Sequence, residues 1–151
     1  MSIMEEMGRR LRETVARAER EFRGYSDENA AKPATSGGWS RKQVLGHLID
    51  SASNNHQRFV RALLADELRW PGYDQEGCVR AQRYQDAKWA DLVELWSSYN
   101  RFLAHVLAGV PETKLATRCL IGENAPMTLE ELAVDYLHHM DHHLEQIRSG
   151  I

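Results

Sequence analysis

Four stretches of this chain repeat apolar residues every three or four positions, and that periodicity constrains the fold more than any other feature. The first carries Ile3, Met7, Leu11, Thr14, Val15, Ala18 and Phe22, and Gly24 ends it. The second starts after Trp39-Ser40. Ser40 and Gln43 can cap it reciprocally, and it runs from Arg41 to about Ala65 on Val44, Leu45, Leu48, Ala52, Phe59, Ala62 and Leu63. The third spans about Asp86 to Ala108 on Trp89, Leu92, Val93, Trp96, Tyr99, Leu103, Val106 and Leu107, and Gly109 and Pro111 stop it. The fourth opens at Thr128, with Glu131 completing a capping box, and runs to about Arg148, with Gly150 just past its end. Residues so spaced share one helix face, and an apolar face has to be buried against another element. Four such helices and no convincing strand run predict an all-α fold, a four-helix bundle. The 151 residues fit a single domain, 1–151.

The connections are unequal. The polar SDENAAKPATSGG reads as a plain link between the first two helices. Asp66 to Tyr84 is long, and Pro71-Gly72 breaks any helix in it. It can travel back along a whole helix, so the second and third helices can run parallel. Trp70 and Tyr73 in this link either plug the end of the core or wall a pocket. A second long loop, Thr113 to Met127, contains a short extended piece at Ala116–Ile121.

Composition removes several function classes. The formal net charge is -3, and Arg9, Arg10, Arg12, Arg17, Arg20 and Arg23 alternate with Glu5, Glu6, Glu13, Glu19 and Glu21. That mixture is a solvated helix face, so no nucleic-acid partner is expected. No apolar run reaches membrane-spanning length, so no membrane partner is expected either. The first residues are charged, unlike a secretory signal. Cys78 and Cys119 stand alone, outside any CxxC pair. These features together place the chain in the cytoplasm. A chain of this size needs no structural metal to fold, so a bound metal would serve chemistry.

The last helix reads YLHHMDHHLEQI between Tyr136 and Ile147 and holds four of the seven histidines. They form two overlapping pairs four residues apart, His138 with His142 and His139 with His143. Residues four apart stack on one helix face and can grip one ion. At about 100° per residue, Leu129, Leu132, Ala133, Tyr136, Met140, Leu144 and Ile147 cover an arc of roughly 120°. His143 falls inside that arc and His139 at its edge, whereas His138 and His142 fall on the far side with Glu131, Asp135 and Glu145. The inward pair is therefore either two hydrogen-bonded core histidines or half of a metal site. The second helix offers a third ligand, His47, at the head of a polar stripe formed with Ser51, Asn54 and Arg58. Such a stripe beside an apolar face lines either a polar cavity or a surface groove. Asp50 either orients a ligand histidine or faces solvent. His56 and His105 have no such partners. Three imidazoles with a coordination position left for a reactant are the arrangement of a catalytic site. They suit zinc, nickel, copper or iron.

GWSRKQVLGHLIDSASNNHQRF, RWPGYDQ and the closing TLEELAVDYLHHMDHHLEQI together resemble the DinB/YfiT-like superfamily of metal-dependent enzymes, from about Trp39 to Ile147. The resemblance implies a four-helix bundle whose second and third helices run parallel. It implies a nickel or zinc site on His47, His139 and His143. It also implies a reaction in which a thiol or water, activated at that metal, attacks a small electrophilic substrate. Relatives of this kind include thiol-S-transferases that use a low-molecular-weight thiol cosubstrate; a hydrolase is the other form the activity could take. Homodimers are common among them. Ser51, Asn54, Arg58, Trp70 and Tyr73 are the residues expected to border the substrate pocket. The competing expectation is a bundle that binds metal or a partner without catalysis.

Overall fold

Three of the four long helices begin where a hydroxyl satisfies amides that the helix itself leaves free. The structure, a computed structural model, describes residues 1–150. In it Ser2, Ser40 and Thr128 cap helices α1 (Ile3–Phe22), α3 (Arg41–Leu63) and α6 (Leu129–Ser149). Glu5, Gln43 and Glu131 return the bond to the cap amide in each case. Helix α5 (Trp89–Ala108) has no cap of its own. The Asp27 carboxylate accepts from its Trp89 N–H instead, at 2.8 Å. Gly150 closes α6 in the left-handed conformation, φ 69°.

These helices are the four of the bundle, and their directions follow from what touches. Phe22, at the end of α1, packs on Trp89 at the start of α5, while Gly8 lies against Ala104 and Ala108; α1 and α5 are antiparallel. Arg41 donates to the Ile147 carbonyl and Phe59 meets Tyr136 edge-on, so α3 and α6 are antiparallel. Ser40 bonds Gln85 near one end of α3, and His56 bonds Tyr99 further along. Helices α3 and α5 are therefore parallel neighbours, as the long link allows.

The connections carry more structure than periodicity predicts. SDENAAKPATSGG contains a short helix, α2 (Asp27–Ala31), capped by Ser26. The link after α3 contains a strand, β1 (Glu67–Trp70), a helix, α4 (Gln75–Ala81), and a 3-10 turn at Tyr84–Asp86, so α5 begins at Trp89 rather than Asp86. The second long loop supplies β2 (Arg118–Ile121) and β3 (Met127–Thr128). Strand β2 falls within the extended piece expected at Ala116–Ile121, whereas β1 and β3 correct the expectation of no further strand: β1 and β2 pair in parallel, Leu68 opposite Cys119, and β3 pairs antiparallel to β2. Strands this short show no alternation a sequence can display, and β1 finds its partner far along the chain.

The sheet ties the two long loops together, and Gly122 N–H donates to the Trp70 carbonyl at 2.8 Å. Beyond it, α4 and the turn fold back along α3. There Tyr84 lies flat on Gly46, so close that a Cβ at Gly46 would sit 2.2 Å from the ring. The Tyr84 hydroxyl donates to Asp50 Oδ1 at 2.7 Å, and Gln82 donates to the same oxygen at 2.8 Å. Among the described residues no helix is long and apolar enough to cross a membrane.

Candidate metal centre

The phase of α6 decides which of its histidines face the bundle. Leu132, Tyr136, Met140, Leu144 and Ile147 are buried, His138 and His142 are exposed, and His139 and His143 lie at the buried edge. Across the seam, His47 of α3 is 1% exposed. The three inner imidazoles converge. Their ring centroids lie 5.1, 4.7 and 4.5 Å apart, and one ring nitrogen from each falls within 4.8 Å of the others. His47 Nε2 and His139 Nε2 are 3.2 Å apart.

The His47–His139 spacing fits a shared cation. Two nitrogens about 2.0–2.1 Å from a tetrahedral ion stand roughly 3.3 Å apart. Burial supplies the right protonation state. It pushes His47 and His139 down to about 4, with their histidine neighbours adding to the effect, and holds His143 below the ordinary histidine range. At neutral pH the three rings are uncharged and offer lone pairs. His143 Nδ1 lies 2.8 Å from Gln146 Oε1, a carbonyl oxygen that can only accept. The proton therefore sits on Nδ1 and the Nε2 lone pair is left free. His47 is oriented by packing on Trp39, centroids 5.3 Å apart, and its Nδ1 is buried without a partner.

Asp50 does not orient His47. It is buried, not solvent-facing, and is engaged by Tyr84 and Gln82 on the opposite flank of α3. His56 is occupied by Tyr99 at 2.9 Å, away from the three.

A cavity of about 290 Å³ opens beside His139 along the α3–α6 seam. Ser51, Arg58 and Tyr73 line it. Asn54 and Trp70 do not. Asn54 points to the outer side of the stripe and donates to the Asp50 carbonyl at 2.9 Å. Asn55 lies about 100° further round the helix, toward the apolar face, and takes that place in the wall. Trp70 sits in β1, half-buried against the core, with the Arg61 guanidinium 5.2 Å from its ring. Tyr73, Asn55 and Ser51 offer hydroxyl and amide groups. Burial raises the Tyr73 phenol to about 12, so it remains a donor throughout the neutral range. Asn55, Gln146 and Trp39 escaped the sequence reading as site residues. Asn55 is signalled by its nearness to the apolar face and Gln146 by its spacing, one helical turn from His143. A larger groove of about 380 Å³ between α1 and α6 is lined by intermixed arginine and carboxylate side chains and contains no histidine.

Comparison with known proteins points the same way. Residues 10–147 match the DinB superfamily. A protein of Bacillus pumilus (strain SAFR-032), named "Putative metal-dependent hydrolase", is 25% identical over 126 residues, which cover 83% of this chain and 72% of that protein. Among solved structures, YfiT from Bacillus subtilis superposes with a TM-score of 0.86 at 21% identity, covering 99% of this chain and 87% of YfiT. YfiT is described as a probable metal-dependent hydrolase with an unusual four-helix bundle topology.

Proposed function

This chain belongs to the DinB superfamily, and from that premise we propose that it is a metal-dependent enzyme acting on a small electrophilic molecule, with His47, His139 and His143 as the ligands of a divalent ion. The observation that carries this reading is the convergence of three imidazoles, one of which, His139, borders a polar cavity. Nickel or zinc suits such a donor set. A divalent ion held there supplies a Lewis acid that lowers the pKa of water or of a thiol toward neutrality. The rest falls to the chain itself. Gln146 keeps the proton of His143 on Nδ1. Trp39 packs on the buried His47. Ser51, Asn55 and the Tyr73 phenol stand where they can donate to or accept from a bound reactant. Hydrolysis is favoured over thiol transfer by the name of the Bacillus pumilus relative, "Putative metal-dependent hydrolase".

The test is metal content of protein purified without an affinity tag, together with turnover of activated esters and of a haloarene plus thiol, with and without nickel or zinc. One equivalent of metal is expected, lost in His143→Ala. Unchanged stoichiometry in that variant overturns the ligand assignment, and metal-independent turnover overturns the role of the ion.

A further inference from the structure

The cavity beside His139 is lined by a cation that makes no ion pair among the described residues. Arg58 Nε is buried and without a hydrogen-bond partner. One terminal nitrogen reaches Asn55 Oδ1 at 3.4 Å, a long contact, and the guanidinium carbon lies 5.9 Å from the Tyr73 ring centre. Arg58 belongs to no ion pair among the described residues. The one carboxylate among the described residues of the cavity wall is Asp135, which is exposed. Arg58 is half-buried, and an Nε–H shut off from water with no acceptor costs about 1–3 kcal/mol. A guanidinium presents a planar fork of donors that matches a carboxylate. Asn55, Ser51 and Tyr73 surround it with further donors and acceptors, which a bound carboxylate can engage.

We propose that Arg58 anchors a carboxylate of the reactant, so that the substrates of this site are small carboxylic acids whose electrophilic atom lies a few bonds from the acid group. The placement of that atom rests on the metal-centre reading above; the carboxylate site itself does not. Contact with Asn55 puts the guanidinium a little over two turns beyond His47 on α3, about 12 Å along the axis. With metal–ligand and hydrogen-bond reach taken from each end, a chain of only a few atoms spans the remainder. A single guanidinium facing a rim carboxylate suits a monoanionic group better than a phosphate dianion.

The experiment uses the full chain after EDTA treatment, so that it reads Arg58 and not the metal. Arginine Hε–Nε resonances are followed by NMR, assigned through the backbone, while glutarate, glutaramide or inorganic phosphate is added. Glutarate is expected to move the Arg58 Nε–H downfield saturably, with glutaramide weaker by about tenfold or more for want of a charge-assisted bond pair, and phosphate weaker because its second charge faces Asp135. Calorimetry of Arg58→Gln is expected to show a similar loss of about tenfold, and Asp135→Asn a gain of roughly two- to threefold from removed like-charge repulsion. The unsubstituted protein's NMR response stands even if Arg58→Gln does not fold. No movement of the Arg58 signal, equal affinity for glutaramide, phosphate binding as tight as glutarate, or weaker binding in Asp135→Asn each overturns the proposal. Failure of metal binding leaves these outcomes unaffected, and failure here leaves the three-histidine centre standing.

Discussion

Gly46→Ala sets two well-characterised effects against each other, and the structure decides which wins. Inside a helix the substitution ordinarily stabilises, by about 0.8–1 kcal/mol. Here the added methyl would stand 2.2 Å from Tyr84 Cδ2 and 2.3 Å from Cγ. The ring has no free path away, because Tyr84 is 7% exposed and its hydroxyl is held by Asp50. Overpacking of this kind costs about 1–3 kcal/mol. Displacing the ring also breaks the bond to a buried carboxyl group, a further loss of about 1–3 kcal/mol. The net expectation is a destabilisation of about 3 kcal/mol, which for a domain of this size lowers the melting temperature by about 9 °C. Thermal unfolding followed by calorimetry reads it directly. In a Tyr84→Ala background the clash is gone, so adding Gly46→Ala should there be neutral or stabilising. A single variant melting at or above the parent would show that helix propensity prevails and that the link is not seated on α3 as described.

Three further outcomes follow from the site and the caps. In metal-free protein His47 and His139 are held down to about 4 against an ordinary 6.5. The folded chain therefore binds fewer protons than the unfolded one between those values, and stability is full above pH 6.5 and falls as acid approaches pH 4. His47 contributes at most about 3 kcal/mol of that loss. Urea midpoints across this range in EDTA should fall less steeply in His47→Gln, and an unchanged slope would refute the assignment. Gln146→Leu removes the acceptor that fixes His143, and metal affinity measured by chelator competition should drop about 10- to 100-fold; an unaltered affinity would show that His143 needs no such partner. Thr128→Ala removes one half of a reciprocal cap, and should cost about 1 kcal/mol in the denaturation midpoint; no change would mean the last helix starts without it.

What the sequence discloses and what it hides divide along the range of the interactions. The four long helices are legible because their signals are local: Ser40 with Gln43 and Thr128 with Glu131 announce starts, and apolar spacing announces a face. The same spacing separates His139 and His143 from His138 and His142, because phase within one helix is a local property too. Asn54 and Asn55 are harder. Both lie within the tolerance of a three-and-four stripe beginning at His47, and only the position of α6 decides which one sees the cavity. The sheet is not legible at all from one strand alone, since Leu68 gains its partner Cys119 only when both long loops have closed. Asp50 illustrates the same limit. Its buried role depends on Tyr84 and Gln82, which reach it only because the link doubles back along α3.

That doubling back has a consequence for how such a site can diversify. The metal-binding candidates sit on two antiparallel helices whose cores would not tolerate a shift. Tyr73 and its neighbour Gly72, which close the other side of the cavity, come from the link between β1 and α4 instead. One part of the chain therefore holds the reactive centre while another shapes what reaches it. Changes of length or side chain between Trp70 and Gln75 can recast the opening without moving an imidazole. The parallel arrangement of α3 and α5, which obliges the link to be long, thereby leaves the fold with a stretch of chain that can vary independently of its donor set.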